Sequence, residues 1–347
     1  MPATATPLAG LKVLELSHAI MGPTAGLVLA DLGADVLLEN YGPGTMERLG
    51  CGYDVLAKVN PRLIYLALKG YLPGPYEKRP ALDEVVQFQA GLAYMTGPPG
   101  RPLRAGASII DILGAVFGIV AVQAALRERD KSGEGQLVTS ALFETAVFLM
   151  SNQMAGIQIT GQPMPPMPAR RGAWGVYDVF EADGGSLFIG VTSDQQWGRF
   201  VEEFGLAELA KDPRLADNVK RVGERSWLIP ALQEVLKGLS KVEVERRCER
   251  ANVSWAPVGT PMDLFEDAHL LASNGLLDVA LASAGGGAGR TAKLPSMPLA
   301  FGVERKRVSV RRQPPRVGEH NGEVLAEAGF TAAEIKALEA AGALVAI

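Results

Sequence analysis

LKVLELSHAIMGPTAGLVLADLGADVLLE, residues 11–39, is the stretch that decides the fold class. Leu11 to Leu16 is a run of leucine and β-branched residues after a glycine, the pattern of a strand. Thr24 to Leu32 reads as a helix, entered at Pro23 and Thr24 and stopped at Gly33. Asp35 to Glu39 is the next strand. A strand–helix–strand opening implies parallel pairing through a right-handed crossover, and hence an α/β fold. Folds of this kind often bind a dinucleotide at the first turn, and Glu39 stands where they place a ribose-binding acid. Here the turn reads His18-Ala19-Ile20-Met21-Gly22-Pro23 and lacks the glycines that let a pyrophosphate approach the backbone. A nicotinamide dehydrogenase is not expected.

Working outward, Asp54 to Val59 reads as a short helix broken by Asn60-Pro61, and Arg62 to Leu68 as a strand. Asp83 to Met95 reads as a helix ended by Gly97-Pro98-Pro99. Ile109 to Arg129 is a long helix whose basic last turn suits the helix dipole. Leu137 to Ser140 is a strand, and Leu142 to Met154 a helix. The stretch GQPMPPMP, Gly161 to Pro168, is too rich in proline for regular structure and reads as a linker. A second region follows, with a strand at Leu187 to Val191 and helices at Asp194 to Phe204, Trp227 to Leu239 and Val242 to Ala251. Ala284 to Arg290, AGGGAGR, lies between two candidate strands and reads as a hairpin tip; a phosphate-cradling loop would need a following helix. The chain ends in helices at Gly322 to Glu327 and Thr331 to Ala340, the second signalled by Thr331 and Glu334 as a capping box.

The 347 residues are 48% hydrophobic and 21% charged, an ordinary globular balance, with a net charge of −4 that argues against a nucleic-acid surface. One basic stretch, Arg305-Lys306-Arg307 with Arg311-Arg312, reads equally as an anion patch or a solvated strand face. Cys51 and Cys248 form no CxxC pair, and His18, His269 and His320 have no ligand spacing. A reducing cytoplasm and no metal are therefore expected. No signal peptide is visible. The most apolar segment, Ala107 to Leu126, carries Asp111 and reads as a buried helix rather than a membrane span.

No GxSxG elbow supports a serine hydrolase. Asp111 is the candidate that remains, an acid at the start of an otherwise apolar helix in GASIIDILG, Gly106 to Gly114. An aspartate there also serves as a helix cap. The two roles are compatible, since the positive end of the helix favours an ionised, nucleophilic carboxylate. Gly114 and Gly118 leave room for a ligand or another backbone to approach.

These segments, taken in order, resemble the class III CoA-transferase family, which includes formyl-CoA transferase-like enzymes and is related to the α-methylacyl-CoA racemases. The resemblance is carried by GLKVLELSHAIMGPTAGLVLADLGADV, LLENYGPGTMERLG, NPRLIYLALKGYLPGPY, RPLRAGASIIDILGAVFGIVAVQAALRERDKSGEGQLV, ANVSWAPV and PPRVGEHNGEVLAEAGFTAAEI. It implies a Rossmann-like large domain built from both chain ends, a smaller α+β domain, and an interlaced homodimer. On this sequence that means a large domain over 1–145, a linker over 146–172 and a small domain over 173–285. A linker or hairpin over 286–315 then leads to a return to the large domain over 316–347. The activity implied is transfer of CoA from an acyl-CoA donor to a carboxylic acid acceptor. It would run through an aspartyl-CoA thioester and anhydride, with CoA as cosubstrate and no permanently bound cofactor. No nucleic-acid or membrane partner is implied. Asp111 matches the catalytic aspartate, with backbone N–H groups at the helix start offered to the oxyanion. Asn40, Tyr41 and Arg48 match positions lining the CoA site; His18, Ala19 and Met21 match the loop near the pantetheine arm; Asp83 matches an acid near the nucleophile. Pro168 to Ala173, PARRGA, stands where some transferases carry a glycine-rich lid, and Trp174, Tyr177 and Trp197 are candidates for shaping acid selectivity, though core roles suit them too.

Two departures qualify the resemblance. In the family several dozen residues separate the ADV strand from the ENY segment, whereas here Asp35 to Leu38 runs straight into Glu39-Asn40-Tyr41; either the given sequence omits that stretch, or the chain lacks it and with it one strand and its crossover. The racemases carry a catalytic histidine where this chain has Leu82. Leucine cannot exchange a proton, so transferase is favoured over racemase; a catalytically weak CoA-binding relative is the non-enzymatic alternative.

Overall fold

A computed structural model of the chain describes residues 12–17, 36–170, 172–281, 289–310 and 312–344. The helix expected at Thr24 to Leu32 lies outside the described residues, as do His18, Ala19 and Met21. By its internal contacts the chain divides into two units: residues 1–90, 106–149 and 262–347, and residues 91–105 and 150–261.

In the first unit, β1 (Val13–Leu16), β2 (Val36–Glu39), β3 (Ile64–Lys69) and β4 (Leu137–Ala141) form one sheet in that order. All three pairings are parallel, with Val13 opposite Val36, Val36 opposite Ile64, and Tyr65 opposite Leu137. β2 and β3 are buried along nearly their whole length, as central strands of a parallel sheet require. β1 lies at the sheet edge and is only half-buried, with Leu14 57% exposed. The mixed α/β class expected from the opening segment is the class observed.

Helices α1 (Tyr53–Val59), α2 (Asp83–Gln89), α3 (Ile109–Ser132) and α4 (Leu142–Leu149) belong to the same unit. The single helix expected over Asp83 to Met95 is two. α2 stops at Gln89 and a short helix resumes at Leu92, because Gly91 takes a left-handed φ of 87° that no helix interior accommodates. The helix expected at Leu142 to Met154 likewise divides, between α4 and a separate helix α5 (Ser151–Thr160).

α3 crosses from the carboxyl edge of the sheet to its amino edge. Its last turn is tied to the start of β3, where Arg129 donates to Arg62 O at 3.2 Å and Arg62 donates to Gly133 O at 3.1 Å. Its inner face packs on β3 and β4 through Gly114, Ala115, Gly118, Val122 and Ala125. The space left at Gly118 is taken by the protein itself: a Cβ there would sit 3.0 Å from Leu68 Cδ2 and 3.2 Å from Leu66 Cδ1. Ile112, Val116 and Val120 form an exposed apolar stripe on the other face, so the helix is half-buried rather than enclosed. It is long and apolar enough to cross a membrane, but its inner face is committed to the sheet of its own unit.

The carboxyl-terminal part of this unit holds an antiparallel pair, β8 (Leu276–Leu281) with β9 (Arg290–Pro295), which flanks the glycine-rich AGGGAGR stretch. A strand, not a helix, follows that stretch. Helices α9 (Asn321–Glu327) and α10 (Ala332–Ala340) come last, and Thr331 and Glu334 make the capping box read from the sequence. In the basic stretch Lys306 pairs with Glu304, Arg307 donates to Ser296 Oγ and Arg312 pairs with Glu323.

The second unit is built on an antiparallel sheet of β5 (Val176–Ala182), β6 (Gly185–Val191) and β7 (Ser254–Pro257). Helices α6 (Asp194–Glu203), α7 (Arg225–Lys237) and α8 (Lys241–Ala251) contribute to its core. Phe180, Leu187, Ile189, Trp197, Phe200 and Leu232 fill that core, which gives Trp197 a packing role. Arg221 is buried there, stacked over Trp197 and bonded to Leu215 O and the Asp194 carboxylate.

Two glycines of the first unit separate flexible from rigid crowding. A Cβ on Gly135 would meet the Leu63 carbonyl oxygen at 2.1 Å, whereas on Gly118 it meets only leucine side-chain ends. Overpacking of this kind costs about 1–3 kcal/mol when neighbours can yield, and more when backbone must move. Urea denaturation should therefore show Gly135→Ala losing clearly more stability than Gly118→Ala.

Candidate active site

The loop leaving β3 must turn sharply to start α2. Gly70 permits it, since a Cβ there would lie 2.4 Å from Ala81 Cβ. This places the first residue of α2, Asp83, at the carboxyl edge of the sheet, the edge at which open α/β sheets bind ligands.

Asp83 is 3% exposed, and its carboxylate does not face solvent. Oδ2 accepts the backbone N–H of Ile110 at 2.8 Å and of Asp111 at 3.1 Å, and Oδ1 accepts from the buried Gln87 amide one turn along α2. The four N–H groups that begin any helix lack partners within it. In α3 those of Ile109, Ile110 and Asp111 are met, the first by Ala107 O and the other two by Asp83, before the regular helical bonds begin with Ile112 donating to Ser108 O. Ser108 occupies the N-cap position without a side-chain cap bond, so the capping carboxylate comes from a neighbouring helix instead. The N–H groups expected to receive an oxyanion are already engaged, and both Asp83 oxygens are used within the protein. Asp83 therefore positions the start of α3, a role the sequence does not reveal. Gln87, not singled out in the sequence, fixes Asp83 in turn.

Asp111 sits in the first turn of α3 and is half-buried. Beside it the chain is open: a Cβ on Gly106 would meet nothing within 4 Å. Burial, then the charges of Asp83 and Glu84, push the Asp111 carboxyl up from the usual aspartate range to about 6. The helix dipole works the other way but contributes only about 0.3–1 kcal/mol. One pH unit corresponds to about 1.4 kcal/mol, so burial and like charge prevail over the dipole. The carboxyl is thus more basic than an ordinary aspartate while remaining mostly ionised at neutral pH.

The segment after β2 places Asn40 and Tyr41, both half-buried, immediately beyond the carboxyl end of the strand. Tyr41 packs beside Leu37, Met46, Tyr65 and Ala67. Arg48 closes the short helix Thr45–Arg48, is exposed, and donates to Thr45 Oγ1 at 2.9 Å. Asn40, Tyr41, Asp83 and Asp111 accordingly belong to elements that emerge at one edge of one sheet. In the second unit Tyr177 is exposed beside Trp174 at 4.8 Å, and a single 3-10 turn, Met167–Ala169, overlaps the start of the Pro168 to Ala173 segment.

The sequence matches the family described as CoA-transferase family III over residues 8–38 and 33–321. The chain belongs to CoA-transferase family III. Over 304 residues it is 33% identical to an acyl-CoA transferase of Fusarium pseudograminearum, covering 87% of this chain and 66% of that protein. It is 26% identical to the succinate–glutarate CoA-transferase of Agrobacterium fabrum over 394 positions, covering 94% of this chain and 97% of the relative. A CaiB/BaiF family protein from Brucella suis shares the fold with a TM-score of 0.80 at 25% identity, over 93% of this chain and 100% of that one. By this kinship the chain is an enzyme, a CoA-transferase. The two family matches share residues 33–38, and the Agrobacterium alignment is longer than the 347-residue chain. The relative thus carries residues that this chain lacks, and the shared six residues fall where the ADV strand runs directly into the ENY segment.

Removing the cap should cost more than neutralising it. Asp83→Ala strands two N–H donors, each worth about 1–3 kcal/mol when buried without a partner, whereas Asp83→Asn keeps an acceptor. Thermal melts should show a much larger loss for Asp83→Ala.

Proposed function

We propose that this enzyme moves CoA from an acyl-CoA donor to a carboxylic acid acceptor with Asp111 as the covalent carrier. The observation that carries the reading is a half-buried, raised-pKa carboxyl at a capped helix start on the carboxyl edge of a parallel sheet. Asp111 attacks the thioester carbonyl and expels CoA thiolate, leaving a mixed anhydride. The thiolate attacks the aspartyl carbonyl of that anhydride, releasing the donor acid and forming an aspartyl-CoA thioester. The acceptor carboxylate attacks this thioester and frees the thiolate again. Attack of the thiolate on the acceptor's carbonyl gives the new acyl-CoA and restores Asp111. No water is consumed, and each step exchanges one activated acyl bond for another. The raised basicity of Asp111 supports its role as nucleophile.

Asn40, Tyr41 and Arg48 are proposed to receive the CoA moiety, with Arg48 offering its guanidinium to a phosphate. His18, Ala19 and Met21, which lie outside the described residues, remain proposed for the pantetheine arm. Leu82 precedes Asp83 and is exposed, and its side chain cannot exchange a proton at the position where the racemases carry their histidine. The two free cysteines suit a reducing cytoplasm. A homodimer is proposed as the working form. Val85, Phe88, Ile112, Val116, Val120 and Phe148 are exposed apolar side chains on three helices of the first unit, the kind of surface that a second copy would cover.

Four outcomes are expected. Incubation with succinyl-CoA and hydroxylamine should modify Asp111 by intact and peptide mass spectrometry, and Asp111→Asn should abolish it; an unmodified Asp111 across succinyl-, acetyl- and formyl-CoA would refute the carrier role. The labelling rate should fall about tenfold per pH unit below about 6, because only the ionised carboxylate attacks. The same pKa sets stability in a defined direction. A carboxyl whose folded pKa is about 6, above the ordinary aspartate value of 3.8, contributes stability below pH 3.8 that is lost as pH rises through 6. Asp111→Asn should therefore melt higher than the wild type at pH 7.5, with the difference closing below pH 4. Finally, Val116→Glu with Val120→Lys should shift the protein to a monomer in light-scattering chromatography.

A further inference from the structure

β2 and β3 end in opposite charges. The register sets Leu37 opposite Tyr65 and Glu39 opposite Ala67. Alternation then puts Leu37, Glu39, Tyr65, Ala67 and Lys69 on one sheet face. That face is apolar over its inner rows and closes in an ion pair at the carboxyl edge, with Lys69 Nζ 2.6 Å from Glu39 Oε1. The same pair grips a third residue. Lys69 Nζ donates to Tyr41 O at 3.0 Å, and Tyr41 N donates to Glu39 Oε2 at 2.9 Å. Both backbone groups of Tyr41 are therefore held by the two charged side chains.

Stability alone is a weak reason for such a pair. Glu39 is 2% exposed, and taking its charge from water offsets most of the attraction, so an apolar pair of similar volume would pack as well. What an apolar pair could not do is fix the backbone where the chain leaves the sheet at its ligand-binding edge. We propose that Glu39 and Lys69 are positioning residues for acyl-CoA recognition. They hold Tyr41, and through it the Asn40 to Arg48 segment, in the conformation that receives the CoA moiety. This rests on the reading of that segment as part of the CoA site.

The test is calorimetric binding of free coenzyme A, together with the concentration dependence of Asp111 labelling by succinyl-CoA and hydroxylamine. Lys69→Met should weaken CoA binding and raise the half-saturating succinyl-CoA concentration about tenfold, while the maximal labelling rate stays within twofold. Lys69→Arg, which keeps the charge and the donors, should restore most of the affinity. Because Lys69→Met leaves Glu39 buried and unpaired, the double variant Glu39→Leu/Lys69→Met provides a folded, neutral comparison. It should show the same weakened binding. A folded double variant that binds CoA as the wild type does overturns the proposal, as does a Lys69→Met defect that the double variant repairs. Failure of the wild type to bind CoA at all would instead refute the CoA-site reading, and the clamp with it.

Discussion

One buried carboxylate organises the reactive end of the first unit. Asp83 accepts the N–H groups of both Ile110 and Asp111, and without it the long apolar helix would start with two donors stripped of water and unpaired. The bond fixes where α3 begins, and so where Asp111 stands relative to the carboxyl edge of the sheet. The same charge also raises the basicity of the residue it positions. Gln87 anchors Asp83 from within α2, so the start of one helix is set by the first turn of another.

The carboxyl edge uses charge twice, for different ends. At β2 and β3 a complete ion pair is spent on one residue's backbone. At α2 and α3 the acids are alike, and a neutral amide rather than a cation stabilises the buried one. A cation beside Asp83 would pull the Asp111 proton affinity down and weaken it as a nucleophile; an amide leaves it high. The second unit shows the opposite arrangement, with buried Arg221 satisfied by a carbonyl, the Asp194 carboxylate and an indole face.

Periodicity made most of the described elements legible. The strands at Val13, Val36, Ile64 and Leu137, the long helix from Ile109 and the Thr331 capping box all stand where the pattern places them, within a few residues. Asp111 could be found because a lone acid in an apolar helix is conspicuous. What could not be read was anything set by tertiary register. Asp83 reads only as an acid near the nucleophile, and its capping role is hidden because its partners lie 27 and 28 positions away. Glu39 reads only as a ribose-binding acid and Lys69 does not stand out, because their contact exists only once β2 and β3 are paired. The dipole argument for Asp111 names only the smaller of two opposing effects, because the burial of one side chain and the acids that face it are set by tertiary packing. α3 is apolar all round, so its pattern could not say which face would meet the sheet and which would stay uncovered. Gly91 broke a helix that its neighbours favoured.

The Asp83 contact also limits how this protein can drift over generations. A change at position 83 alters both the stability of the α3 start and the proton affinity at position 111, so a substitution tolerated at one depends on what occupies the other. Such paired residues are expected to be non-additive. A lineage that abandons the chemistry at Asp111 is released from an electrostatic burden but still needs an acceptor at position 83 to keep the helix closed. In a descendant that has lost its activity, the cap should therefore outlast the nucleophile.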